Sequence, residues 1–368
     1  MDMAEKEIKK IGISTGGGDC PGLNAVIRAA VYTAINKYGW EVVGIRDALN
    51  GLMDTSQTMP LGLNEVKDIL NKGGTIIGTT NKGNPFHWER QKSDGTIETI
   101  DRSGQLVENF HKLGLGALIS IGGDGSMKIA QQLVEKGLPV VGVPKTIDND
   151  LSATDVTFGF DSAVRTASEA LDKLRSTAES HHRVMVVEMM GRHSGWIALH
   201  SGISGDAHVI LIPEIPFDLA VVAKKLKERN EKGDKYSIVV VAEGAVPKGG
   251  EMAMVGKKAD GTVILGGMGQ KVGLALSEMT GLEIRVVVLG HLQRGGSPTE
   301  FDRILGTRYG EAATELIAKK QFGKMVALKG TAIVGVPITD AIGQTKKIFP
   351  EGTLVKVARS MGICFGDR

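Results

Sequence analysis

Short apolar runs of four to seven residues recur along this chain, each closing on a cluster of glycines and polar residues, and most are followed by helical spacing of apolar positions. A run with no polar alternation reads as a strand covered on both faces, and strand alternating with helix calls for parallel sheets flanked by helices. Strands are predicted at Lys10 to Ser14, Glu41 to Ile45, Leu115 to Ile121, Leu138 to Val143, Arg183 to Glu188, Val209 to Ile212, Ser237 to Ala242 and Ile284 to Leu289. Helices are predicted at Leu23 to Lys37, Leu63 to Asn71, Met127 to Lys136, Ser162 to Thr177 and Thr299 to Lys319. Gln91 to Asp101 reads as an exposed strand pair turning at Asp94-Gly95, and Ala245 to Gly269 as an insertion with a hairpin turn at Asp260-Gly261.

At 368 residues the chain can build two domains or one large doubly wound unit. A net charge of +2 with 4% aromatic residues supplies neither the field nor the stacking surface of a nucleic-acid binder. The 50 glycines gather at the ends of apolar runs, as tight strand-to-helix turns require. Cys20 and Cys364 have neither metal nor redox spacing, and no apolar run reaches membrane-spanning length or forms a signal segment. A reduced, cytoplasmic setting without membrane contact is expected.

Four clusters carry chemistry. Pro144-Lys145-Thr146-Ile147-Asp148-Asn149-Asp150 crowds two carboxylates, a hydroxyl, an amide and a lysine at the carboxyl end of a buried strand, where open parallel sheets gather ligands. It reads either as a site, one carboxylate handling a proton while the other faces a metal, or as a polar turn. Gly16-Gly17-Gly18-Asp19 lies between strand and helix; it lets backbone amides approach a phosphate, or simply makes a tight connection. Gly122-Gly123-Asp124-Gly125-Ser126 puts a carboxylate at a helix start, able to hold magnesium beside a polyphosphate, although lipid and nicotinamide-dinucleotide kinases carry a similar stretch. Arg183, Arg192, Arg285, His291 and Arg294 follow in the second half; guanidinium groups suit planar phosphate recognition or surface ion pairs.

Taken in order, GGGDCPGLNAVIR, IGGDGS, PKTIDND, GFDSA, EMMGRHSGWIAL, VAEGA and LGHLQRGGSPTEFDR span nearly all of Ile11 to Lys319. This series resembles the 6-phosphofructokinases of bacterial type. The resemblance implies an α/β fold of two Rossmann-like domains with mainly parallel sheets: residues 1–159 and 293–343 for the phosphoryl donor, 160–292 and 344–368 for fructose 6-phosphate. It implies that Asp148 is the base for the sugar 1-hydroxyl, flanked by Thr146 and Asp150. Asp124 would be the magnesium carboxylate, with Gly123, Gly125 and Ser126 in the donor site, and Gly17 would bring its amide to the transferred group. Arg192 would lie near both substrates, and Met190, Gly191 and Glu243 would contact the sugar. Arg183, Arg285, His291 and Arg294 would surround the 6-phosphate, the first two reaching in from a neighbouring subunit of a homodimer or homotetramer.

The chain departs from that pattern at the donor. Asn81-Lys82 stands where ATP-using bacterial enzymes have an Arg-Phe pair, and Lys145 resembles the pyrophosphate-using branch, whose lysine would serve the reacting phosphates. Gly125 instead resembles ATP enzymes, where the pyrophosphate branch has an aspartate that would repel a nucleotide α-phosphate. The missing side chain leaves room that the lysine does not remove, so ATP is expected over pyrophosphate. At the effector site of regulated relatives Arg28 and Arg175 are retained, but Tyr32 and His208 replace an arginine and a glutamate, so weak regulation is expected.

Overall fold

A computed structural model describes residues 7–92, 94–257 and 263–368. Two compact units emerge: Met1–Thr146 with Leu151–Gly159 and Arg294–Gln344, and Ile147–Asp150 with Phe160–Gln293 and Thr345–Arg368. Ile147–Asp150 thus joins the second unit, departing from the division expected from the sequence, because its main chain is bonded to Ser194 and Lys346 there.

The first unit is built on a seven-stranded sheet in the order Ala332–Pro337, Lys324–Lys329, Val140–Pro144, Ala117–Gly122, Lys10–Thr15, Glu41–Ile45, Thr58–Pro60. Its five inner strands pair in parallel and the two outermost pairings are antiparallel. Ile11, Ile13, Leu118, Ile119, Val140 and Val141 are fully buried, as strands covered on both faces require. The register sets Thr15 beside Ile121 and Gly122 beside Pro144, so three predicted loops open from the same edge of the sheet.

The second unit has a four-stranded, wholly parallel sheet in the order Ile284–Val288, Val184–Met189, Ser237–Ala242, Val209–Leu211. It packs its own core, including Val186, Leu211, Val239, Val241 and Leu276. Among the described residues no helix is long and apolar enough to cross a membrane.

Most predicted elements appear within a few residues of their expected bounds. The helix predicted over Leu63 to Asn71 stops at Val66. Beyond it the chain is captured by the buried Asn24, whose Nδ2 donates to the carbonyls of Lys72 (3.0 Å) and Gly73 (3.3 Å) and whose Oδ1 accepts from Ile76 N (3.0 Å). The exposed pair Trp88–Gln91 and Ile97–Ile100 brackets Asp94-Gly95 as predicted. Met254–Lys257 and Val263–Leu265 pair in the insertion; the Asp260-Gly261 turn lies outside the described residues.

Candidate active site

In the first unit the glycine loop is fixed by its neighbours. Gly16 N donates to Ile121 O (2.9 Å), Gly17 N to Thr80 O (3.0 Å), and Thr79 Oγ1 donates to Gly17 O (2.6 Å). Gly17 adopts φ 81°, a left-handed conformation that L side chains take only with strain. Lys145 leaves the neighbouring strand end with its N bonded to Gly122 O (2.9 Å), and its side chain, 3% exposed, donates from Nζ to Gly18 O. A buried ammonium on the glycine loop is an electrostatic feature of the site, since a charge so far from water is retained only with close polar partners. Cys20, buried alongside, has its thiol pushed up to about 12 by burial, so it stays protonated and unreactive.

These groups line a cavity of about 770 Å³. Gly16, Gly17, Gly18, Asn81, Lys82, Gly123, Gly125, Ser126, Lys145 and Thr146 all face it. A Cβ added at Gly125 would meet nothing within 4 Å. His87, Gln132, Glu135 and Ile342 also line it, without motif or spacing to announce them in the sequence. Asp124 begins the helix Asp124–Glu135, and its carboxylate pairs with Lys128 one turn on (2.7 Å), both side chains about half exposed.

Among the described residues no group of three or more His, Cys, Asp or Glu side chains could form a metal cage. A single carboxylate at a helix start, beside a cavity with glycine-loop amides, fits magnesium in its usual form, held by one or two carboxylates and the phosphates it accompanies.

In the second unit the strand ends converge. Glu243 N donates to Met189 O (2.8 Å) and Gly244 N to Gly191 O (3.1 Å), which joins the loop carrying Met190, Gly191 and Arg192 to the one carrying Glu243. Asp148 is tied to the first of these loops, its carbonyl accepting from Ser194 Oγ (3.2 Å). Behind them Glu214 accepts from Gly195 N (3.1 Å to each oxygen) and Ile348 N (3.0 Å), and burial raises its carboxyl above the usual range. Burial likewise pushes His193 down, helped by the Arg192 charge, so it sits neutral beside the loop.

Of the residues expected around a 6-phosphate, His291 and Arg294 share one 3₁₀ turn, while Arg183 and Arg285 meet at Glu283. His291 is exposed in the 3₁₀ turn Gly290–Arg294, past the carboxyl end of Ile284–Val288. Arg183 and Arg285 sit at the other end of the same sheet, where Arg183 Nε and Arg285 Nη2 both reach Glu283 Oε1 (2.7 Å each). Six residues at roughly 3.3 Å each put about 20 Å between Arg183 and Met189 along the strand, beyond the reach of a guanidinium. Arg294 belongs to the first unit and lines the cavity there, its Nη1 donating to Asp19 O (3.2 Å). The resemblance implies that Arg183 and Arg285 serve a neighbouring subunit's site; within one chain they lie at the strand end opposite the turn Gly290–Arg294, which delivers Arg294 beside Gly18, where an added Cβ would meet Arg294 Nη1 at 2.7 Å.

A family model described as Phosphofructokinase matches residues 10–317. An ATP-dependent 6-phosphofructokinase from Chloroflexus aurantiacus is 52% identical over 365 residues, covering 99% of each chain. A pyrophosphate–fructose 6-phosphate 1-phosphotransferase from Amycolatopsis methanolica is also 52% identical, over 345 residues, covering 93% of this chain and 97% of that one. Among solved structures, the Pichia pastoris phosphofructokinase in the T-state superposes with a TM-score of 0.77 at 32% identity, covering 91% of this chain and 35% of that longer one.

Proposed function

The chain belongs to the phosphofructokinase family, and on that premise we propose that it transfers the terminal phosphoryl group of ATP to the 1-hydroxyl of fructose 6-phosphate, giving fructose 1,6-bisphosphate and ADP. The observation that carries ATP as donor is the open space at Gly125 on a cavity of about 770 Å³. That volume falls within the roughly 300–1,000 Å³ typical of sites for drug-sized ligands, so nucleoside as well as phosphates can be housed.

Asp148 takes the proton of the 1-hydroxyl as that oxygen forms its bond to the terminal phosphorus and the bond from phosphorus to the bridging oxygen breaks, leaving ADP. Phosphoryl transfer asks for positioning and charge stabilisation more than for covalent chemistry. Lys145 stabilises charge on the donor phosphates, joined by the Gly17 N–H once a phosphate oxygen replaces its Thr80 acceptor, and Asn81, Lys82, Gly123, Gly125 and Ser126 seat the donor. Magnesium, held by Asp124 with the donor phosphates, neutralises their charge when bound. Thr146 and Asp150 flank the base; Arg192, Met190, Gly191 and Glu243 orient the sugar; His291 and Arg294 contact its 6-phosphate. Arg183 and Arg285 complete that phosphate site in a neighbouring subunit, making the working enzyme a homodimer or homotetramer. Their place at the amino end of the strands, with Arg183 about 20 Å along the strand from Met189, supports this sharing. We place the enzyme in the cytoplasm.

A second reading, pyrophosphate as donor, is favoured by Lys145, whose ammonium on the glycine loop suits a leaving phosphate, and by the Amycolatopsis relative's name. Initial rates with ATP and with pyrophosphate against fructose 6-phosphate, at saturating magnesium, decide between them. Higher catalytic efficiency with ATP is expected; a preference for pyrophosphate overturns the donor and leaves the acceptor reading in place.

A further inference from the structure

The segment Thr345–Ile348 carries none of the motifs that point to the acceptor, yet it is laced into the loop that bears Asp148. Lys346 N donates to Asp150 O (2.8 Å), and Lys346 O accepts from Trp196 Nε1 (2.9 Å). Its side chain lies 5.7 Å from the centre of the Trp196 ring and donates from Nζ to Asn149 Oδ1 (2.8 Å). Asn149, the residue between the two carboxylates, is 4% exposed and holds φ 51°.

That backbone conformation is left-handed, and a non-glycine residue stays there only where its surroundings over-determine it. The turn at Asn149 sets the directions in which Asp148 and Asp150 leave the chain. The charge-assisted hydrogen bond from Lys346 Nζ tethers the Asn149 amide at this turn. We propose that Lys346 is a positioning residue for the transfer: by anchoring Asn149 it maintains the left-handed turn that aims the Asp148 carboxylate at the sugar 1-hydroxyl. This rests on Asp148 being the base.

The test is steady-state kinetics with fructose 6-phosphate, run beside thermal unfolding. Lys346→Met should lower kcat on the order of ten- to a hundredfold, the scale of a small misplacement of a reacting group, with the sugar KM within about twofold. Lys346→Arg, which keeps a cationic donor, should recover most of that loss. Glycine takes the left-handed conformation without strain, so Asn149→Gly should remove the need for the tether. Adding Lys346→Met to Asn149→Gly should then cost about threefold or less. Should Lys346→Met unfold the chain, Lys346→Gln is read in the same way. Wild-type turnover in Lys346→Met or Lys346→Gln, or an equal loss with and without Asn149→Gly, overturns the inference. Asp148→Asn is the control: its expected loss of two to four powers of ten tests the base itself, so undiminished turnover there refutes that reading separately from Lys346.

Discussion

A Cβ placed on Gly17 would come within 3.3 Å of Lys145 Nζ. The left-handed glycine and the buried Lys145 side chain therefore face each other on the wall of the cavity proposed for the donor. Where a donor's reacting phosphates lie between loop amides and a lysine, the lysine's effect depends on which phosphate leaves. Lys145→Gly should be a mild change for ATP if the ammonium serves only a pyrophosphate-type leaving group, and a severe one if it helps the ADP β-phosphate depart.

Gly125→Asp addresses the same wall from the other side. The position is open, so an aspartate fits sterically and acts by its charge and bulk on an α-phosphate, which pyrophosphate lacks. The ratio of kcat/KM for ATP to that for pyrophosphate should fall by at least tenfold, about 1.4 kcal/mol of discrimination. An unchanged ATP rate would remove the nucleotide from this part of the cavity.

Arg294 has a neutral carbonyl, Asp19 O at 3.2 Å, as a hydrogen-bond acceptor, a partner that an incoming phosphate dianion outcompetes. Arg294→Ala should raise the fructose 6-phosphate KM more than the donor KM. The opposite split would assign the guanidinium to the donor, whose cavity it lines.

His208 links pH to stability. Its Nδ1 accepts a hydrogen bond from Ile238 N (2.9 Å), so the folded ring is neutral at that atom. Burial, helped by the Arg229 and Arg175 charges and opposed by Asp206 and Asp234, lowers its pKa from 6.5 to about 4. The unfolded chain takes up this proton first, so the contribution is complete above pH 6.5 and is lost as pH falls towards 4. Burial depresses His193 and His200 in the same direction. Urea midpoints measured between pH 8 and 4.5 should decline less steeply for His208→Gln than for wild type; parallel curves would exclude His208 as a source.

Regulation by nucleoside diphosphate or phosphoenolpyruvate should be weak. Arg175 is engaged by Asp206 (2.9 Å) and Gly205 O (2.7 Å), and Arg28 lies over the Tyr32 ring at 4.5 Å. Fewer available charges mean less differential affinity for an anionic effector in two states. Sugar saturation curves with and without ADP check this; sigmoidal curves relieved by ADP would contradict it.

The sheets were legible because buried parallel strands are unbroken apolar runs, and the loops at their ends announce themselves by glycine. Ser237–Ala242 and Glu41–Ile45 fall at their predicted bounds for that reason. Leu63 to Asn71 was not: past Val66 the chain is held by Asn24, whose amide takes the carbonyls of Lys72 and Gly73 from nearly fifty residues upstream, invisible to local periodicity. Lys346 was illegible for a related cause. A lysine pair in a polar stretch reads as a solvated surface, and the tie of Lys346 to Asn149 exists only after the chain has returned across nearly two hundred residues.

Arg183 and Arg285 stand at one end of their strands and Arg192 and Glu243 at the other, so under the proposed sharing a subunit would lend its two arginines rather than use them. In genetic terms, a chain damaged at Asp148 and a chain damaged at Arg183 are not equivalent failures. Within a mixed assembly the first would supply sound arginines to a site whose base is intact in the second, so two inactive alleles expressed together should yield some fully equipped sites.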